Sequence, residues 1–200
     1  MRLENHLSDA FSAIRSRYNA SLPFPIAIFS GDSWQVYVED AERAIEIGVH
    51  LFCSLAATHE IRSRMAIAVN TVDFLNEENL SASDGEAFRQ SGLALREMTK
   101  DASFAISLPD GIAPIFSHAL DEVIDVCNHL VRNWTQGQAQ AVSLRLLYPD
   151  ASQKELAQKW KPRPIKQPAV SQFLSASHWD LLEGTLRRSR EVIDLMVTSK

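Results

Sequence analysis

An α+β fold is predicted, with an antiparallel-rich sheet and helices in residues 20–110 and an all-helical unit from residue 135. Three observations predict it. Within the first 110 positions, apolar residues switch between a spacing of three or four and alternation by two, the helical and strand periods respectively. After residue 110 only the helical period remains. Two capping-box patterns, Thr135 with Gln138 and Ser152 with Glu155, open short helices in quick succession.

The elements follow in order. Leu3, Leu7, Phe11, Ile14 and Tyr18 share one face of a helix over residues 3–18. PFPIAIFSGDSWQVYVED reads as two strands, Pro25 to Phe29 and Trp34 to Val38, around the turn Ser30-Gly31-Asp32-Ser33. A second helix over residues 40–57 turns Ala41, Ala44, Ile45, Gly48, Phe52 and Leu55 inward. RSRMAIAVNTVDF supplies a third strand, with Met65, Ile67 and Val69 alternating. Ser83 is expected to cap a helix running to Met98, and ASFAISL makes a fourth strand.

Residues 111–134 carry Phe116, Leu120, Val123, Cys127, Leu130 and Trp134 at helical spacing, flanked by Ile112, Ile115, Ile124 and Val131. A face that wide must be buried, against the sheet or against a second copy of the chain. The organisation expected is therefore a first domain over 1–110, a connecting helix over 111–134 and a helical domain over 135–200. In the last helix, from His178 to about Thr198, Leu182, Leu186, Ile193 and Met196 share a side, and Arg187, Arg188 and Arg190 are expected to face water.

Composition narrows the function classes. The net charge is −5, but residues 136–200 carry +4 and residues 1–135 carry −9, so only the C-terminal part is suited to a polyanion. No run of eighteen apolar residues exists, which argues against a membrane span. Cys53 and Cys127 are the two cysteines, each in an apolar helical stripe. They read as buried small hydrophobes, and the cytoplasm is the expected compartment. The six histidines form no His-Glu-x-x-His pattern, and the usual glycine-rich phosphate loops are missing from the sequence.

The segment from Trp134 to Phe173 reads as a helix-turn-helix, and SQKELAQKW followed by QPAVSQFL resembles the paired helices of bacterial regulators of that kind. Pro168 stands where a first-turn proline is tolerated. The helix that it opens would be the recognition helix, with Gln167, Ser171 and Gln172 meeting base edges. The connection Lys161 to Lys166, KPRPIK, is longer than usual and has two prolines. Its Lys161, Arg163 and Lys166 are expected on phosphates. Three capped helices also describe an ordinary small bundle, and such shapes also serve as protein-docking modules.

The order of motifs carries a wider resemblance. SGDSWQVYVEDAERAIEIGVHLF, RSRMAIAVN and SASDGEAFRQSGLALREM, followed by Asn133-Trp134-Thr135, resemble the SatD-type relatives of the class III nucleotidyl cyclases. The resemblance implies a ferredoxin-like, cyclase-like palm sheet followed by a helix-turn-helix. It also implies a metal site in which paired carboxylates hold Mg²⁺ on a nucleotide ligand. Asp32 matches the hairpin carboxylate. The family's other carboxylate lies on a strand ahead of the first helix, and the sequence as given begins inside that helix. Asp73 and Asp84 are candidates for the second carboxylate by residue type alone. A partner chain, direct pairing of the remaining strands, or a start upstream of Met1 would fill the gap.

No catalytic residue is therefore expected, and no cofactor unless the palm site is active with Mg²⁺. The expected function is a DNA-binding transcriptional regulator, acting as a homodimer on double-stranded DNA. Its cyclase-like domain would be catalytically degenerate and serve sensing or dimerisation. The alternative is an active nucleotidyl cyclase-like enzyme with a helix-turn-helix appendage. No membrane partner is expected.

Overall fold

In the computed structural model of the chain, residues 3–29, 33–59 and 61–199 are described. The fold is α+β, with eight α-helices and four short strands among those residues. Helix α1 (Leu3–Arg17) buries Leu7, Phe11 and Ile14 against α2 (Ala44–His59). A single 3-10 turn, Ala41–Arg43, leads into α2. Every residue of α2 from Ala44 to Cys53 is buried, so this helix is the axle of the molecule rather than a one-faced surface helix.

The strands depart from the expected single sheet. Strands β1 (Ala27–Phe29) and β2 (Ser33–Gln35) form an antiparallel pair, shorter at both outer ends than the alternation predicts. Strands β3 (Met65–Ala68) and β4 (Phe104–Ser107) form a separate pair, and it is parallel. Alternation fixes which residues share a face but not the pairing partner. Here α3 (Glu86–Glu97) lies between β3 and β4 in the chain and packs on both, and a crossover of that length returns the chain parallel. The described strands thus do not close into one sheet by pairing directly.

The far edge of β4 is fastened to α4 (Pro114–Val131). The Asn128 side chain accepts from the Ser103 and Phe104 amides at 2.9 and 2.8 Å and donates to the Phe104 carbonyl at 2.9 Å. The α4 stripe is buried as its spacing predicts from Leu120 to Val131, but Ile115 is 70 % exposed and does not belong to it. Arg62 reaches over to the Arg132 and Trp134 carbonyls at 2.9 and 2.7 Å, placing a cation on the negative C-terminal end of α4.

The larger core draws on both halves of the chain, from Phe11 and Phe52 through Phe104 and Cys127 to Val142, Leu186 and Ile193. Helix α5 (Gln136–Leu147) packs along α2, and α8 (Trp179–Thr198) packs along α4. Cys53 and Cys127 are buried free thiols, as expected, and burial pushes both thiol pKa values up. Arg187 and Arg188 face water, but Arg190 does not follow them. It is half-buried and pairs with the buried Glu46 of α2 at 3.4 Å. Among the described residues, no helix is long and apolar enough to cross a membrane.

Candidate functional site

Three helices at the C-terminal side form a compact unit: α5, α6 (Gln153–Gln158) and α7 (Gln167–Ala176). Both predicted capping boxes close. The Thr135 hydroxyl accepts from the Gln138 amide at 3.3 Å while Gln138 Oε1 accepts from the Thr135 amide at 2.8 Å. Ser152 and Glu155 repeat the exchange at 3.3 and 2.8 Å. These reciprocal bonds satisfy end donors that would otherwise be left unpaired, which is why helices this short start where they do. The carboxyl of Glu155 is held below its usual range by its bonds to Ser152.

A small core of Ala141, Leu156, Ala157, Trp160, Val170 and Leu174 joins the three helices. Trp160 stacks on Phe173 with ring centroids 5.3 Å apart and planes 16° from parallel. Gly137 makes the approach possible, since a Cβ there would lie 2.5 Å from the Phe173 ring. Only the absence of a side chain on α5 lets that ring seat.

The connection from α6 to α7 is fastened at both ends. Gln140 donates to the Lys161 carbonyl at 3.0 Å, and the Ile165 amide donates to the Ala157 carbonyl at 3.1 Å. Ile165 packs inward against the small core. The backbone is pinned, and Lys161, Arg163 and Lys166 are left exposed on it. Among the described residues none of these three cations forms an ion pair.

The polar residues of α7 do not all face the same way. Gln167 and Gln172 are exposed, and Gln167 bonds Gln153 of α6 at 2.6 Å. Ser171 is half-buried and lines a groove of about 710 Å³ with Arg145, Gln153, Ser175 and Trp179. Sequence reasoning missed Gly137, Gln140 and Gln153. The position of Gln153, directly after a capping serine and one loop ahead of another helix-opening glutamine, was the available signal.

The carboxylates proposed for metal behave differently. Asp32 lies outside the described residues. Asp84 is not free, because its Oδ1 accepts from Arg89 at 2.7 Å and from the Gly85 amide at 2.8 Å. Arg89 also lies 3.5 Å from Asp73 and 3.2 Å from Glu86. One guanidinium is thus shared by three half-exposed carboxylates, and Asp73 and Asp84 have Arg89 as their common partner. Among the described residues, no group of three metal-ligating side chains comes together. The expected cap is also displaced. Gly85, not Ser83, precedes α3, and the Ser83 hydroxyl accepts from the Asn76 amide instead.

Comparison with protein-family models, with curated proteins and with solved structures finds no match for this chain.

Proposed function

We propose that this protein is a sequence-specific DNA-binding regulator in which α5, α6 and α7 form a helix-turn-helix and α7 is the recognition helix. The observation that carries the reading is the pinned α6–α7 connection, which holds Lys161, Arg163 and Lys166 exposed, with no ion pair among the described residues, beside the exposed Gln167 and Gln172. Unpaired cations held on a fixed backbone suit phosphates, and amide side chains at a helix start suit base edges. The part before α5 is read as a degenerate cyclase-like platform for sensing or dimerisation, with a nucleotide as its candidate ligand. Engagement of Asp73 and Asp84 by Arg89 supports a structural use of those carboxylates. Incubation with ATP or GTP and Mg²⁺ or Mn²⁺ is expected to leave the nucleotide unchanged. Turnover that disappears in Asp32→Ala would make the protein an enzyme instead.

Selection from a random duplex library tests the DNA reading. A homodimer is expected to enrich half-sites one helical turn apart, roughly 34–36 Å. Replacing Lys161, Arg163 and Lys166 together by Ala should weaken binding to all sequences alike. It should also lower the slope of log K against log salt by about 0.9 for each lost phosphate contact. If no sequence is enriched at any salt and the triple variant binds like its parent, a protein-docking module becomes the better reading.

A further inference from the structure

We infer that the outer face of α8 docks a second copy of this chain, the two α8 helices packing antiparallel about a two-fold axis between Ser189 and Arg190. The inference rests on the homodimeric DNA-binding reading and supplies the surface which that reading needs. The buried side of α8 carries Leu182, Leu186, Ser189, Ile193 and Met196. On the opposite side, at three- and four-residue spacing, lie Leu181, Gly184, Arg188, Glu191, Leu195 and Thr198. Gly184 is half-buried and the other five are exposed, Leu181 at 48 % and Leu195 at 57 %. Leu181, Arg188 and Leu195 stand one heptad apart, the repeat of a helix that packs along another helix. Among the described residues, neither Arg188 nor Glu191 forms an ion pair.

The charges on this face select the partner and its direction. In a parallel pair, or an antiparallel pair centred on Arg188, that arginine would meet its own copy, and like charges repel. Centring between Ser189 and Arg190 instead sets Arg188 opposite Glu191 of the second copy, and the two-fold makes the pair twice. The face is therefore complementary to itself. The same register brings Leu181 to the Thr198 methyl of the second copy and Leu195 over its Gly184. The Arg188 tip now lies back beside Gly184, and a change of rotamer turns it outward and leaves that room to the leucine. On the flank, the exposed Arg187 comes within reach of the exposed Asp194 of the second copy.

Spacing supports the same register. Helix α7 ends at Ala176 and α8 begins at Trp179, so α7 is tied to the N-terminal end of α8. From Trp179 to the two-fold is about 16 Å at the helical rise per residue. With axes about 8–10 Å apart, the two α8 starts lie about 33 Å from each other. That is close to the roughly 34–36 Å between half-sites one helical turn apart.

Sedimentation velocity over a range of concentrations tests the surface on the full-length protein, with thermal melts to check folding. The parent is expected to self-associate. Arg188→Glu and Glu191→Arg should each weaken dimerisation by about tenfold or more, because each reversal sets like charges together twice. Combining the two reversals should bring dimerisation back to within about threefold of the parent. Selection on random duplex DNA reads the same cycle. Each single variant should keep the half-site but lose its fixed spacing, and the double variant should regain it. Glu191→Arg separates docking from direct phosphate contact by α8, since an added cation would strengthen such a contact. A parent that stays monomeric at every concentration, or dimerises no better than the single variants, overturns this inference, and the half-site selection still judges the DNA-binding reading. A charge cycle that behaves as expected while no sequence is enriched supports the surface and overturns the DNA-binding reading alone.

Discussion

Gly85→Ala is expected to destabilise the protein by about 3–5 kcal/mol, the sum of a forbidden backbone conformation and an unavoidable clash. Gly85 has φ +151° and ψ 166°, a region essentially reserved for glycine. A Cβ there would lie 2.6 Å from the Val72 Cα, 2.7 Å from the Asp73 nitrogen and 2.9 Å from the Thr71 oxygen. All three are backbone atoms that cannot rotate away. They are also held, since Asp73 and Phe74 donate to the Asp84 carbonyl at 3.0 Å and Ala87 donates to the Thr71 carbonyl at 3.0 Å. This stitch ties the start of α3 to the segment leaving β3, and so sets α3 across the β3–β4 pair. For a chain of this size the loss corresponds to a fall in melting temperature of about 10 °C. Gly184→Ala is the control, because a Cβ there would meet only the flexible tip of Arg188, at 3.6 Å or more, and α8 gains helix propensity. If Gly85→Ala melts within about 2 °C of the parent, the close approach does not constrain the fold as described.

The same glycine shows what the sequence could and could not disclose. Asp84-Gly85-Glu86-Ala87-Phe88 was visible as a motif, but the reason for its glycine lies in a second strand of backbone at residues 71–73. Features set within one turn were legible. Both capping boxes, the proline in the first turn of α7 and the burial of Leu120, Val123 and Cys127 follow from local spacing. Features set by a distant partner were not. Alternation marked β3 and β4 as strands without saying that they pair with each other and in parallel. Arg190 fell off the apolar stripe of α8 and so looked solvated, yet the buried carboxylate of Glu46 draws it in. In the candidate interface, the cationic connection and the polar start of α7 could be read from residue type. The pinning by Gln140 and the Gln153–Gln167 bond were not legible, because the first joins α5 to the α6–α7 connection and the second joins two helices.

Acid is expected to destabilise the protein through His50, by about 3 kcal/mol between pH 7 and pH 4. His50 is fully buried on α2, and burial draws its pKa down from 6.5 to about 3. Its surroundings offer the imidazolium little. Just past α1, the Tyr18 ring meets it edge-on at 5.7 Å, and the Arg17 cation at the end of α1 disfavours a second positive charge. On α2 itself the Glu46 carboxylate is already taken, by the Tyr18 hydroxyl at 2.9 Å and by Arg190 of α8 at 3.4 Å. From α5, the Ser143 main chain pulls the other way, but neither ring nitrogen makes a hydrogen bond of sound geometry. The folded state therefore binds fewer protons than the unfolded state between about pH 6.5 and pH 3. Stability through this group is complete above the unfolded pKa and falls steadily as pH drops across that window. Carboxylates also titrate there, so the measurement is a comparison. Urea unfolding of the parent and of His50→Leu is followed from pH 7.5 to pH 4, and the gap between the two curves is read. The variant has no imidazole to protonate, and its advantage over the parent should widen by about 3 kcal/mol over that range. Because α2 packs against both α1 and α5, the loss should appear in one cooperative transition rather than in an early melt of the C-terminal helices. Parallel curves for parent and variant would mean that His50 finds a proton-stabilising partner when charged, and the seam between α2 and α5 would not be the acid-labile part of this fold.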